Sequence, residues 1–179
     1  MSTTVTAWHA EHARFGRLLD LLDREVVKFH DGAQPDYELM RDIVHYLRNY
    51  SDQTHHPRED VAFGRLAERD PAMRLPVARL QQEHRVIAAA GEALLRRLDD
   101  VAADVVIERA AVEAAAATYL VYYRHHIATE EIEVLPRAAE LLSAPDWAAV
   151  AAAVPARSDP LSGDNVEALY RELRRRLAA

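Results

Sequence analysis

The chain has 179 residues, half of them hydrophobic, with five glycines and no cysteine. That is enough apolar material for a sizeable core, it excludes disulfides, thiolate metal sites and cysteine nucleophiles, and it agrees with a reducing, cytoplasmic setting. A formal net charge of -7 opposes non-specific contact with nucleic acid or an acidic membrane surface, and no apolar run approaches the ~20 residues of a membrane span.

Abundant alanine and leucine, scarce glycine and few β-branched runs predict an all-α fold. The first helix is expected over about 4–29, with Val5, Trp8, His12, Phe15, Leu19, Leu22 and Val26 on one stripe at three- and four-residue spacing. HDGAQPD breaks the pattern, and a second helix follows over about 36–68, stopped by ERDP. Inside it stands THHPRED, residues 54–60, where Pro57 predicts a kink at 53–57, or a helix break with Pro57 at the new start. A third helix begins near Pro71 to Pro76 and carries Val77, Leu80, His84, Ile87, Gly91, Leu94 and Leu98 on its stripe. The fourth, about 105–142, carries Val112, Ala116, Tyr119, Tyr123, His126, Glu130 and Val134. Short connections predict an antiparallel up-down-up-down four-helix bundle over residues 1–142. A C-terminal helical extension over 143–179 should hold a short helix near Pro145, a surface linker at PARSDPLSGDN, and a last amphipathic helix marked by Val166, Leu169, Leu173 and Leu177. The RELRRR run on that helix reads as a solvated helix end, and its apolar face makes the helix a candidate for homodimer formation.

His12, His84 and His126 fall in apolar registers, where a bundle would place leucine. Each lies near mid-helix, so in an antiparallel bundle the three imidazoles should converge. An internal repeat adds to this. Glu11-His12 recurs 72 residues later as Glu83-His84, and the His55 to Glu59 pair recurs 71 residues later as His126 to Glu130. Each half is then a hairpin giving one histidine from its first helix and a histidine plus a carboxylate, at i and i+4, from its second. Four imidazoles and two carboxylates without sulfur suit iron, manganese or zinc. Without a cation, Glu59 and Glu130 would be desolvated charges facing each other. Two octahedral ions want about twelve donor positions; these side chains, with both carboxylates and an oxo or hydroxo bridging, supply about ten and leave about two for a small molecule.

The order H…HxxxE…H…HxxxE, carried by WHAEHARF, THHPREDVAF, QQEH and HHIATEEIEVLP, resembles the hemerythrin-like (HHE cation-binding) family over about residues 1–142. The resemblance implies a non-heme di-iron site, two iron ions with a bridging oxo or hydroxo group, held by His12, His55, Glu59, His84, His126 and Glu130. Oxygen-carrying members have a second histidine one turn along the third helix; here that position is Ala88, which cannot ligate, so one iron is open or takes another side chain.

His56 with Asp60 is the alternative to His55 with Glu59. His56 and His125 are otherwise expected at a helix boundary or in solvent, His9 exposed, and His30 and His45 at the surface. Glu11 and Glu83 should support ligands or face solvent, Tyr123 could hydrogen-bond or approach an iron, and Glu133 is an outside candidate for an extra ligand. Three functions follow: binding or sensing of oxygen, nitric oxide or iron; an enzyme acting on peroxide, oxygen or nitric oxide; and iron storage. No glycine-rich phosphate loop, nucleophile motif or nucleotide fingerprint supports hydrolase or kinase chemistry.

Overall fold

Helix-favouring composition with so little glycine leaves few places for the chain to turn. A computed structural model, which describes residues 3–162 and 170–178, is accordingly all-helical, with no strand among the described residues. The His30 side chain, Val166 and Leu169 lie outside the described residues. α1 (Thr3–His30) ends just before Gly32, whose φ of 68° is a conformation glycine adopts without a Cβ penalty. α2 (Tyr37–Tyr46) starts at Asp36, whose carboxylate accepts the Leu39 N–H. It then widens into a π-helical segment, Leu47–His55, and continues as α3 (His56–Arg69).

Pro57 accounts for the widening. It has no N–H to give, and in a regular helix its ring would crowd the carbonyl of Gln53, at a cost of ~3 kcal/mol. In the π segment the hydrogen bonds reach back five residues instead, so the His56 N–H binds the Ser51 carbonyl. The kink expected at 53–57 is thus a longer, wider turn that begins at Leu47. The same device closes the fourth arm. α5 (Arg109–Thr129) passes into a π segment, Glu130–Val134, and Pro136 stands two residues beyond it, as Pro57 stands two residues beyond His55.

Between these arms, a 3-10 turn at Pro71–Met73, capped by Asp70, leads into α4 (Arg74–Ala102), and α6 (Leu135–Leu141) follows the second π segment. Cross-contacts run in opposing order along neighbouring arms. From the start of α5 to the second π segment, Arg109 reaches the carbonyl of Lys28, Arg124 pairs with Asp23 and Asp20, and Glu131 meets His12 and His9. Asp60 meets His84, whereas Arg48, earlier in the chain, meets Glu92. All the stripe residues expected on α1, α4 and α5 are buried, including the polar ones.

The core falls into two apolar clusters. One is built around Phe15, Leu19, Ile43, Tyr46, Ile87, Tyr119 and Tyr123, the other around Trp8, Phe63, Leu66, Leu80, Val134 and Leu135. On α1, His12 sits between Trp8 and Phe15, and on α4, His84 sits between Leu80 and Ile87, so a polar layer separates the two clusters. α7 (Ala144–Ala153) opens on a Ser143–Asp146 capping box, sets Trp147 edge-on to Trp8 at 5.7 Å, and pairs Asp146 with Arg69. Residues 155–162 are pinned rather than free: Asp159 accepts the Tyr46 hydroxyl and the Leu161 N–H and pairs with Arg14, and Leu161 is buried. α8 (Arg171–Ala178) turns Leu173 into the first cluster, together with Tyr170 just before it, and leaves its arginines outward. No helix among the described residues is long and apolar enough to cross a membrane.

Two glycines in helix interiors should respond to alanine in opposite directions. A Cβ at Gly64 meets nothing within 4 Å, so Gly64→Ala should gain up to about 1 kcal/mol of helix propensity and raise the thermal midpoint by about 2–4 °C. A Cβ at Gly91 would lie 3.0 Å from the fully buried Tyr119 ring, so Gly91→Ala should lower the midpoint despite the same propensity gain. Calorimetry of the two variants checks the contrast.

Candidate metal centre

Four arms bring their polar residues to one level. α1 supplies His12; the end of the first π segment supplies His55 and α3, one turn on, Glu59; α4 supplies His84; α5 supplies His126, and Glu130 opens the second π segment. All six are buried. Glu59 Oε1 lies 2.9 Å from His55 Nε2 and 3.3 Å from His12 Nε2, while its Oε2 lies 3.7 Å from His84 Nε2. Glu130 divides in the same way. Its Oε2 lies 3.3 Å from His12 Nε2, and its Oε1 lies 3.2 Å from His126 Nε2 and 3.6 Å from His84 Nε2. Each carboxylate therefore turns one oxygen to the His12 side and the other to the His84 side.

The other ring nitrogens are spoken for. His12 Nδ1 donates to Glu131 at 2.7 Å, His55 Nδ1 to Glu11 at 2.5 Å, His84 Nδ1 to Asp60 at 2.9 Å and His126 Nδ1 to Glu83 at 3.1 Å. An ionised carboxylate only accepts, so each Nδ1 carries the proton, and Nε2 is left to face the centre. The pattern is cyclic: the carboxylate of each arm serves the histidine of the next, α1 to the second arm, the second arm to α4, α4 to α5, and the fourth arm back to α1. Glu11 and Glu83 thus take the supporting role expected of them.

The atoms facing inward lack partners. No oxygen of Glu59 or Glu130 accepts a hydrogen bond, and Nε2 of His84 and of His126 has none either. His12 Nε2 and His55 Nε2 stand 2.9 Å apart. Buried polar atoms of this kind are rare in native proteins unless an ion satisfies them. Nitrogen and oxygen donors converging without thiolate are the set that iron, manganese or zinc accepts, with the outer carboxylates fixing the tautomers, so the residues fit a metal.

Electrostatics agree. Burial works to lower the His12 value, but the hydrogen bond to Glu131 and the nearness of Glu59 outweigh it and push the imidazole up to about 10. His84 reaches about 10 in the same way, through Asp60, Glu130 and Glu59 against burial. Burial works to raise Glu59, and the His55 and His12 charges overcome it, holding the carboxyl below its usual range; Glu130, opposed by burial and by Glu59, is held low by His126 and His84. Asp52 behaves otherwise, pushed up to about 7 by burial with only partial relief from Arg48.

Several residues stand where the spacing did not put them. His56 is buried beside the centre, stacked on His84, and burial together with the charges of His84 and His126 lowers its value well below the ordinary imidazole range. Asp60, weighed as a ligand, instead orients His84. Tyr123 is buried and gives its hydroxyl to Ser51 Oγ at 2.6 Å. Glu133 is exposed, which removes it as a ligand. His45 is half-buried and bonds the Tyr170 hydroxyl, so it is not a free surface group; His9 is half-buried too, against Glu131, whereas His125 is exposed. Glu131 was missed. The three-residue spacing of His9 and His12, which presents two imidazoles to one neighbour, was the available signal.

The hemerythrin HHE cation-binding domain model matches residues 3–138, and the chain belongs to that family. No curated protein and no solved structure gives a match.

Because His12 and His84 titrate above the unfolded imidazole value of 6.5, their protonated pairs stabilise the metal-free fold fully below that pH, and the contribution is lost as pH rises through about 10. Metal-free protein should therefore show a thermal midpoint that falls between about pH 6.5 and 10. At pH 7, metal loading should release protons, since ligation needs the neutral rings. Titration calorimetry in buffers of different ionisation enthalpy measures that release.

Proposed function

We propose that the chain, as a member of the hemerythrin HHE cation-binding family, is a di-iron protein that binds or senses oxygen, nitric oxide or iron. His12 and His55 would hold one ion and His84 and His126 the other, with Glu59 and Glu130 shared between them. One observation carries this: both buried carboxylates present one oxygen to each histidine pair, with all four oxygens lacking any hydrogen-bond donor. A single octahedral ion would take at most six of these eight nitrogen and oxygen donors. The reading includes an antiparallel up-down-up-down four-helix bundle over 1–142, supported by the reversed order of cross-contacts, and 143–179 as its appendage.

When bound, such a pair supplies reversible one- and two-electron chemistry toward a small diatomic molecule or peroxide. The chain's own residues do the rest. The outer carboxylates Glu131, Glu11, Asp60 and Glu83 fix which nitrogen of each imidazole faces inward. Trp8, at 6.0 Å from His55, and Phe15, at 5.1 Å, close the His12 side with apolar surface. On the His84 side a cleft of about 200 Å³, lined by Asp52, His56, Asp60, His84, Arg85 and Ala88 among others, reaches the His84 ring and has room for a molecule of a few atoms. That access favours a second reading, an enzyme acting on peroxide, oxygen or nitric oxide. Because the chain's own core takes up Tyr170 and Leu173, homodimer formation through the last helix would use its arginine face.

Protein purified without chelator should carry about two iron ions per chain by elemental analysis. After anaerobic loading with ferrous iron, an oxygen or nitric oxide adduct that forms once and reverses under argon supports binding or sensing, whereas sustained consumption of peroxide supports the enzyme. Glu59→Gln should cost both ions, because the neutral amide cannot compensate two cations. Replacement of the exposed His125 by alanine should leave metal content unchanged. Equal metal content in the two variants would contradict the shared-carboxylate arrangement.

A further inference from the structure

In the di-iron reading each ion has two imidazoles, and the His84 side has a cleft beside it with room for a further donor. The position one turn beyond His84 is Ala88, and the two histidines on that side are matched by a cleft rather than by a further donor from the same helix. We propose that His56, from the neighbouring arm, supplies a third imidazole nitrogen to the ion that His84 and His126 would hold. The inference rests on the di-iron reading above.

Position supports it first. His56 is 4% exposed, and its ring stacks on that of His84 with centroids 4.2 Å apart and planes 14° from parallel; it meets the His126 ring edge-on at 5.4 Å. Stacked rings cannot both hold one ion in their planes, so ligation requires the His56 ring to turn out of the stack toward the point that the neighbouring donors share. A donor atom from each of His56, Glu59, His84 and His126 lies within 4.8 Å of all the others, while His12, His55 and Glu59 form a separate convergent group.

The supporting shell points the same way. Each of the other four imidazoles has a carboxylate on Nδ1, leaving Nε2 for the centre. The carboxylate nearest His56 is Asp52, whose Oδ1 lies 3.4 Å from Nδ1 as an ion-pair contact without a hydrogen bond. Asp52 sits one turn before His56 on the π segment, so the widened helix that accommodates Pro57 also delivers both groups. His56 Nε2 now lies 3.1 Å from Ser51 Oγ, which receives the Tyr123 hydroxyl. Ligation would exchange that contact for the ion and leave Ser51 bonded to Tyr123. The pair THH thus splits its work, His55 toward the His12 side and His56 toward the His84 side.

The test is metal binding by the full chain, read without any activity assay. Wild-type protein is loaded with ferrous iron under argon and challenged with a graded chelator, alongside His56→Gly and His56→Gln. In His56→Gly one ion should leave at least about tenfold more readily than in wild type while the other is held as before, and millimolar imidazole should restore the first. Two ions held at wild-type affinity in His56→Gly, or a loss that imidazole does not restore, overturns the inference while leaving the di-iron reading in place. A wild-type chain that binds fewer than two ions overturns both. Should the variants fail to fold by circular dichroism, nitrogen hyperfine couplings in the mixed-valence wild type decide: three imidazoles on one ion and two on the other support His56, and two on each refute it.

Discussion

Two glutamates with nothing to donate to them organise this molecule. Glu59 and Glu130 are fully buried and their four oxygens accept no hydrogen bond from any side chain or backbone group. Burying one unpaired carboxylate is among the costliest things a fold can do, and burying two face to face adds their repulsion. The surrounding structure follows from offsetting that cost. Imidazole nitrogens approach within 2.9–3.7 Å from four directions, and four arms must meet at one height to bring them there.

Around that centre runs a ring of carboxylates that belongs to no single helix. Glu11, Asp60, Glu83 and Glu131 each reach across to the histidine of the next arm, so every arm orients its neighbour's donor. Orientation of this kind is inexpensive in side-chain entropy only when backbones are rigid, which explains the use of long, tightly packed helices. The two π segments add a local adjustment. By widening just before a proline, they shift the phase of the helix by a fraction of a turn; the first ends on His55 and the second begins on Glu130.

Much of this was legible in residue order. The stripe registers on α1, α4 and α5 carried over to burial position by position, because a 3.6-residue period leaves little freedom once one face is apolar. Histidines at leucine positions, repeated after 71 and 72 residues, pointed to the layer where they meet. What spacing could not convey was contact across arms. Asp60 and Glu131 lie off the stripes of their own helices, and only the neighbour's approach turns them into partners of His84 and His12. His56 illustrates the same gap: a regular helix rotates it 100° from His55, and its placement beside His84 depends on the π turn, which Pro57 signalled as a disturbance but not as a change of pitch. Asp159, in a stretch with a linker's composition, became an anchor through Tyr46 and Arg14, both far away in the chain.

The division of the core by a charged layer reaches beyond chemistry. Trp8, Phe63 and Leu80 lie in one apolar cluster and Phe15, Ile87 and Tyr119 in the other, so the continuous helices α1 and α4 and the polar layer at the waist tie the two ends together. In metal-free protein that waist rests on imidazole–carboxylate pairs alone, which makes it the seam most sensitive to pH. Cohesion along the length of the molecule therefore depends on how a handful of imidazoles are protonated or ligated.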